Sequence, residues 1–176
     1  MTLPVTNLHP EFRISRASHV VLHVTDLQAS RAFYEDILGF IVSDETNDCV
    51  YLRGLEEIAH HSITLKQGQK PQTEVVGMRC FTPEDLEKTE HHFRAQGLPT
   101  EWIDAPFQGR TLRTFDIAGT PLEFCATMDV RERMVSHFKK YQGICPLRLD
   151  HTQIFVPDVA TQAKFYGELG FRLSEY

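Results

Sequence analysis

The sequence predicts an α+β fold made of tandem βαβββ units, and three observations carry that expectation. The order strand, helix, three strands is read twice between residues 18 and 127. The opening of that pattern then starts a third time near residue 147. Finally, neither unit can cover its own sheet face, so the two are expected to pack as one domain, an eight-stranded, partly closed sheet with helices outside.

Residues 1–16 are polar and contain proline, which suggests an N-terminal arm. "HVVLHVT" (19–25) is β-branched and apolar and reads as a buried strand. Asp26 is placed to cap the helix "LQASRAFYEDIL", whose apolar face pairs Phe33 with Ile37 and Tyr34 with Leu38, and Gly39 ends it. Three short strands follow at 40–45, 49–53 and 62–66, the first two joined by a turn at Thr46-Asn47-Asp48. The second unit begins with a strand at Val75–Phe81. Thr82 is the expected cap of the next helix, with Pro83 at its first position and Asp85 in the capping-box place. That helix runs to about Gln96, where Gly97 stops it. Strands at 99–103, 111–117 and 121–127 complete the unit, with a turn at Ala118-Gly119-Thr120. Residues 129–146 are expected to hold a linker helix, because Val130, Met134, Phe138 and Tyr141 share one helical face.

The third copy is recognised by position. At one constant offset His19 matches His151, Asp26 matches Asp158, and Phe33-Tyr34 matches Phe165-Tyr166. Leu38-Gly39-Phe40 matches Leu169-Gly170-Phe171 once one residue is dropped. The expected division is therefore 1–16 as arm, 17–128 as a domain of two units, 129–146 as linker, and 147–176 as the first strand and helix of a third unit.

Composition narrows the class. The chain is 41% hydrophobic and 24% charged, ordinary for a globular protein. A formal net charge of −6 argues against a nucleic-acid surface, which needs clustered Lys and Arg. No apolar run approaches the roughly 18 residues of a membrane span, and the N-terminus has no apolar signal core, so a cytoplasmic protein is expected. Cys49, Cys80, Cys125 and Cys145 form no C-x-x-C pair and read as reduced thiols, mostly buried.

Several other residues invite a site and are better read as structure. His60 and His61, if on a strand, point to opposite faces and do not ligate one ion easily. His91 and His92 lie late on a helix, where its dipole favours them. Trp102, Phe107 and Phe115 could line a cleft, but aromatics in a small core are more often packing.

The stretches "VTDLQASRAFYEDILGF" (24–40), "YLRGLEEIAHHSITLKQG" (51–68) and "RLDHTQIFVPDV" (148–159) resemble the type I extradiol dioxygenases of the vicinal-oxygen-chelate superfamily, especially the homoprotocatechuate and catechol 2,3-dioxygenases. The resemblance covers nearly the whole chain after about residue 14. It implies meta cleavage of a catechol by Fe(II), occasionally Mn(II), and O2. In that family the second pair of units binds the metal through two histidines and a glutamate. The first histidine lies in the motif matched by Leu149-Asp150-His151, which makes His151 the metal ligand present here; the other His and the Glu are not matched. An asparagine near the open coordination position matches Gln153, expected to sit beside substrate and O2. His19 and Glu123 occupy the corresponding places in the first pair of units, but Val75–Met78 supplies no histidine to complete a site there.

Two imidazoles and one carboxylate on one face of an octahedron leave three positions, two for a chelating catecholate and one for O2. One imidazole cannot hold Fe(II), so no catalytic residue set and no tightly bound cofactor are expected in this chain alone, which reads as an incomplete enzyme. An apolar, unpaired strand at Leu147–Val156 predicts association into a homo-oligomer. Two alternatives stay open: a non-catalytic small-molecule-binding module, and a glyoxalase-like lyase or isomerase.

Overall fold

A computed structural model describes residues 5–174; residues 1–4 of the expected arm and 175–176 of the third unit lie outside the described residues. Among the described residues, eight strands and three α-helices follow one another, the first two units in the predicted order. The first βαβββ unit is β1 (Ile14–Val24), α1 (Leu27–Ala32, continued through Phe33–Leu38), β2 (Ile41–Glu45), β3 (Cys49–Arg53) and β4 (Ile63–Gln67). The second is β5 (Gln72–Cys80), α2 (Pro83–Ala95), β6 (Glu101–Ala105), β7 (Gly109–Phe115) and β8 (Pro121–Cys125). Helix α3 (Val159–Glu168) belongs to the third copy.

The helix starts are the predicted ones. The Asp26 carboxylate accepts the Ala29 N–H at 2.9 Å. The Thr82 hydroxyl accepts the Asp85 N–H at 3.1 Å. Asp158 repeats the Asp26 cap by accepting the Thr161 N–H at 3.1 Å. Each cap satisfies a donor that the first helical turn leaves without an internal partner.

The chain divides into two compact units. One contains residues 17–77 and 128–151. Its strands run in the order β2-β3-β4-β1, with β1 parallel to β4 and the other pairs antiparallel. Val20, Leu27, Val50, Leu52, Ile63 and Leu65 form its buried cluster, and Leu149 packs against that cluster. The other unit contains residues 78–127, the described part of 1–16, and 152 onward. There β8, β7 and β6 are successive antiparallel neighbours. Phe93 of α2 is fully buried and meets Phe124 of β8 at 5.4 Å and Phe165 of α3 at 6.0 Å between ring centroids. The arm is more structured than its composition suggests: residues 14–16 already belong to β1, and Phe12, 1% exposed, packs edge-on to His92.

Two predicted elements are corrected. The linker 129–146 is not an α-helix; it is irregular, with a tight 3-10 turn at Phe138–Lys140 and further turns at 135–136 and 143–144. Its polar backbone is taken up by the loop before β4: His60 N–H donates to Asp129, Arg131 N–H to Ile58, and Met134 N–H to Leu55, at 2.8, 2.7 and 2.7 Å. The supposed apolar face does not exist as a face, since Met134 is buried while Val130 and Phe138 are exposed. Tertiary hydrogen bonds have overridden a helical period. The expected strand at Leu147–Val156 also makes no ladder among the described residues. At its start, the carbonyls of Pro146, just before it, and Leu147 instead accept Leu55 and Glu56 N–H, both at 3.0 Å.

Helix α1 ends unusually. Its last six residues widen, so that the N–H groups of Gly39 and Phe40 both reach the Tyr34 carbonyl. Gly39 then turns left-handed at φ 85°. The Ile37 and Leu38 carbonyls, without an internal partner as in the last turn of any helix, accept Ile144 and Cys145 N–H groups at 2.9–3.2 Å. Residues 142–149 therefore run as a strap between the end of α1 and the loop after β3.

Beneath that loop lies a polar knot. His60 and His61 are 0% and 2% exposed. They precede β4 rather than lying on it, so the opposite-face expectation for a strand does not apply: their Nδ1 atoms are 3.1 Å apart. Tyr51 packs on both rings, and His19 stands edge-on to His61. Burial, aided by Arg131 and Arg53, takes His60 down from 6.5 to about 4, against the opposing pull of Asp44 and Asp129.

Two expected outcomes follow from this packing. Phe93→Ala should lower the unfolding free energy by about 3–5 kcal/mol, read as a lower urea midpoint at unchanged slope. His60 must stay neutral in the fold, so between pH 6.5 and about 4 the unfolded chain binds the extra proton and stability falls as pH falls. The loss at this residue should reach about 3 kcal/mol by pH 4. Urea titrations of wild type and His60→Gln at pH 7.5, 6, 5 and 4 check it: the variant should show the shallower decline.

Candidate functional site

The segment carrying the candidate ligand follows the strap. Gly54 begins the loop after β3, and its N–H donates to the Glu57 carboxylate at 2.6 Å. The same carboxylate oxygen, Oε2, accepts the Ser62 hydroxyl at 2.6 Å. Its other oxygen, Oε1, faces the Leu149 N–H at 3.4 Å. The guanidinium of Arg53 donates to the Glu57 carbonyl at 2.9 Å, closing the loop from the opposite side. Outside, Arg148 bridges Glu56 at 2.8 Å and Asp150 at 3.2 Å. The sequence singled out neither Glu57 nor Gly54. A glycine followed by two glutamates after a buried strand is the available signal, but nothing in it says which glutamate is buried.

His151 ends this arrangement. Its side chain is 87% exposed, and Nδ1 lies 3.4 Å from Asp150 Oδ2. The Asp150 carboxyl is held below its ordinary range, first by His151 and then by Arg148. Gln153 is exposed as well. Neither residue is surrounded by other side chains that could complete a coordination shell, and among the described residues no three His, Cys, Asp or Glu side chains gather to hold a metal ion. The residues present therefore supply one imidazole and not a metal site.

The remaining candidates are accounted for by packing. His19 is fully buried on β1 beside Gly77, where a β-carbon would overlap the imidazole ring. Glu123 on β8, 2% exposed, accepts from Gln108 at 2.7 Å and from Arg113 at 2.8 Å. His91 is exposed, and His92 meets Gln96 at 2.9 Å. Trp102 carries the Arg110 guanidinium 3.7 Å above its ring. Phe107 has a left-handed backbone at φ 64°, and Phe115 is 42% exposed. Cys49, Cys80 and Cys125 are buried free thiols, Cys80 pushed up to about 11 by burial, and Cys145 is partly exposed.

Comparison with known proteins places this geometry. The chain is 26% identical to a manganese-dependent 2,3-dihydroxybiphenyl 1,2-dioxygenase of Geobacillus genomosp. 3, over 93% of its own length and 56% of the relative's. It is 25% identical to a metapyrocatechase of Geobacillus stearothermophilus, over 94% and 54%. Among solved structures, homoprotocatechuate 2,3-dioxygenase of Brevibacterium fuscum, in complex with 3,4-dihydroxyphenylacetate, superposes with a TM-score of 0.89 at 35% identity, over 97% of this chain and 54% of that one. The Arthrobacter globiformis enzyme of the same name gives 0.91 at 32% identity, over 99% and 55%. The chain thus spans about half the length of the relatives it matches. Residues 16–124, which hold both βαβββ units almost entire, match a family model, and the chain belongs to the Glyoxalase/Bleomycin resistance protein/Dioxygenase superfamily.

Proposed function

We propose that this chain serves extradiol cleavage of a catechol by dioxygen, as the N-terminal part of a ring-opening dioxygenase. The supporting observation is a coincidence of two features. A Leu149-Asp150-His151 motif stands at the start of a third repeat, and the chain is similar over nearly its whole length to homoprotocatechuate 2,3-dioxygenase. On this reading residues 17–128 form a domain that binds no metal, and 147–176 open the catalytic one. His151 is one ligand to Fe(II), or to Mn(II) as in the manganese-dependent relative, and Gln153 lies toward substrate and O2.

When bound, such a metal would hold catecholate and dioxygen in one coordination sphere. His151 alone, exposed and beside a single carboxylate, does not make that site, so no catalytic step is assigned to the residues described. The remaining His and Glu ligands are assigned to sequence that this chain does not contain. An exposed run that includes Phe155 (87%) and Val159 (67%) further supports self-association into a homo-oligomer.

The 176-residue chain, supplied with Fe(II) or Mn(II), should form no yellow ring-cleavage product from 3,4-dihydroxyphenylacetate or 2,3-dihydroxybiphenyl. A polypeptide extending it through the missing strands should do so, and His151→Ala in that longer protein should lower kcat at least 1,000-fold. Turnover by the short chain would sink the division into parts; an inactive, metal-loaded longer protein would sink the dioxygenase reading. Sedimentation should give a particle of at least twice the 20.2 kDa of one chain.

A further inference from the structure

Among the described residues His151 has no hydrogen-bonded side-chain neighbour except Asp150, and no strand ladder runs through it. Whatever holds it must act through the main chain that leads to it. That main chain is seated in two places within the unit of residues 17–77 and 128–151.

The first seat is the end of α1. Ile144 and Cys145 donate to the Ile37 and Leu38 carbonyls. A β-carbon at Gly39 would overlap the Gln142 carbonyl oxygen, and one at Gly143 would overlap that of Ile37. The second seat is the loop after β3, where Leu55 and Glu56 donate to Pro146 and Leu147 at 3.0 Å each. A β-carbon at Gly54 would overlap the Leu147 carbonyl oxygen. The buried Glu57 carboxylate then joins three pieces: the Gly54 amide, the Ser62 hydroxyl at the start of β4, and the Leu149 amide two residues before His151.

We propose that Gly54 and Glu57 are positioning residues for His151, fixing the height and direction at which the Leu149-Asp150-His151 motif leaves the first unit. The assignment of a catalytic purpose rests on the dioxygenase reading above; the mechanical role does not. A metal ligand must be held within about 0.5 Å of its working place by the groups behind it. Here those groups are a glycine that admits a carbonyl and a carboxylate that receives the next amide. Because Oε2 already accepts two donors, an amide at position 57 would keep its oxygen there and turn its NH2 toward the Leu149 N–H. Glu57→Gln therefore reverses the strap contact while sparing the loop. Gly54→Ala lifts the strap without straining its own backbone, since Gly54 is not left-handed.

The test is 15N relaxation on the 176-residue chain. Wild type should give order parameters near 0.85 for the Leu149, Asp150 and His151 amides, as for a rigid backbone, and both variants should bring them below about 0.6. The amides of β2, β3 and β4 should stay at wild-type values. If Gly54→Ala fails to fold, Glu57→Gln decides. The proposal is overturned by a wild-type motif already below 0.6, by variants in which it stays rigid, or by loosening spread evenly through β2–β4, which is what a merely structural role would produce. Failure of the dioxygenase reading shows elsewhere, as a metal-loaded longer protein that consumes no dioxygen with a catechol, and it leaves these order parameters where they are.

Discussion

The arrangement depends on one set of contacts: main-chain hydrogen bonds between the loop of residues 54–60 and the segment of residues 129–149. Five amides of the loop and of the 129–149 segment find their acceptors across this boundary. Each such bond contributes only about 1 kcal/mol net, but leaving the same groups buried and unmade costs more. The loop cannot keep its shape without this segment, nor the segment its course without the loop. Glu57 adds a buried carboxylate surrounded by donors, which is tolerable inside a protein because each oxygen is used.

Much of the fold was legible from local pattern, because the strands and helices are set by signals a few residues apart. Asp26, Thr82 and Pro83 announce helix starts; Gly39 announces a stop. The strap was not legible for the complementary reason. Val130, Met134, Phe138 and Tyr141 carry a helical spacing, but the Met134 N–H finds its acceptor at Leu55, in a different part of the chain, and spacing is silent about distant acceptors. The stretch 147–156 carries apolar and β-branched residues, yet a strand needs a neighbour as well as a composition, and composition cannot supply one. His60 and His61 are structural, as the sequence reading has it, but the opposite-face argument applies to a strand and they precede one.

The candidate site shows the same split. His151 was findable because a motif and a repeat both mark it, while Glu57 was not, since its role is defined by what folds onto it. The repeat also shows how one position can take two uses. His19 and His151 correspond, but His19 is sealed in beside Gly77 and packs against His61, while His151 faces outward. Correspondence in sequence carries over the place in the fold, not the surroundings that give an imidazole its chemistry.

The seat beneath the strap is made almost wholly of peptide groups, with glycines where two backbones meet. Ile144 and Leu147 along it are 73% and 52% exposed and add little to the grip, and only at its end does Leu149 pack against the buried cluster. Mutational drift should therefore be uneven here: the outward positions are at liberty to change character, even to charge, whereas Gly39, Gly54 and Gly143 are each locked by a carbonyl that has nowhere to retreat. A descendant sequence could repaint the outside of this crossing completely and still hand the chain onward along the same line.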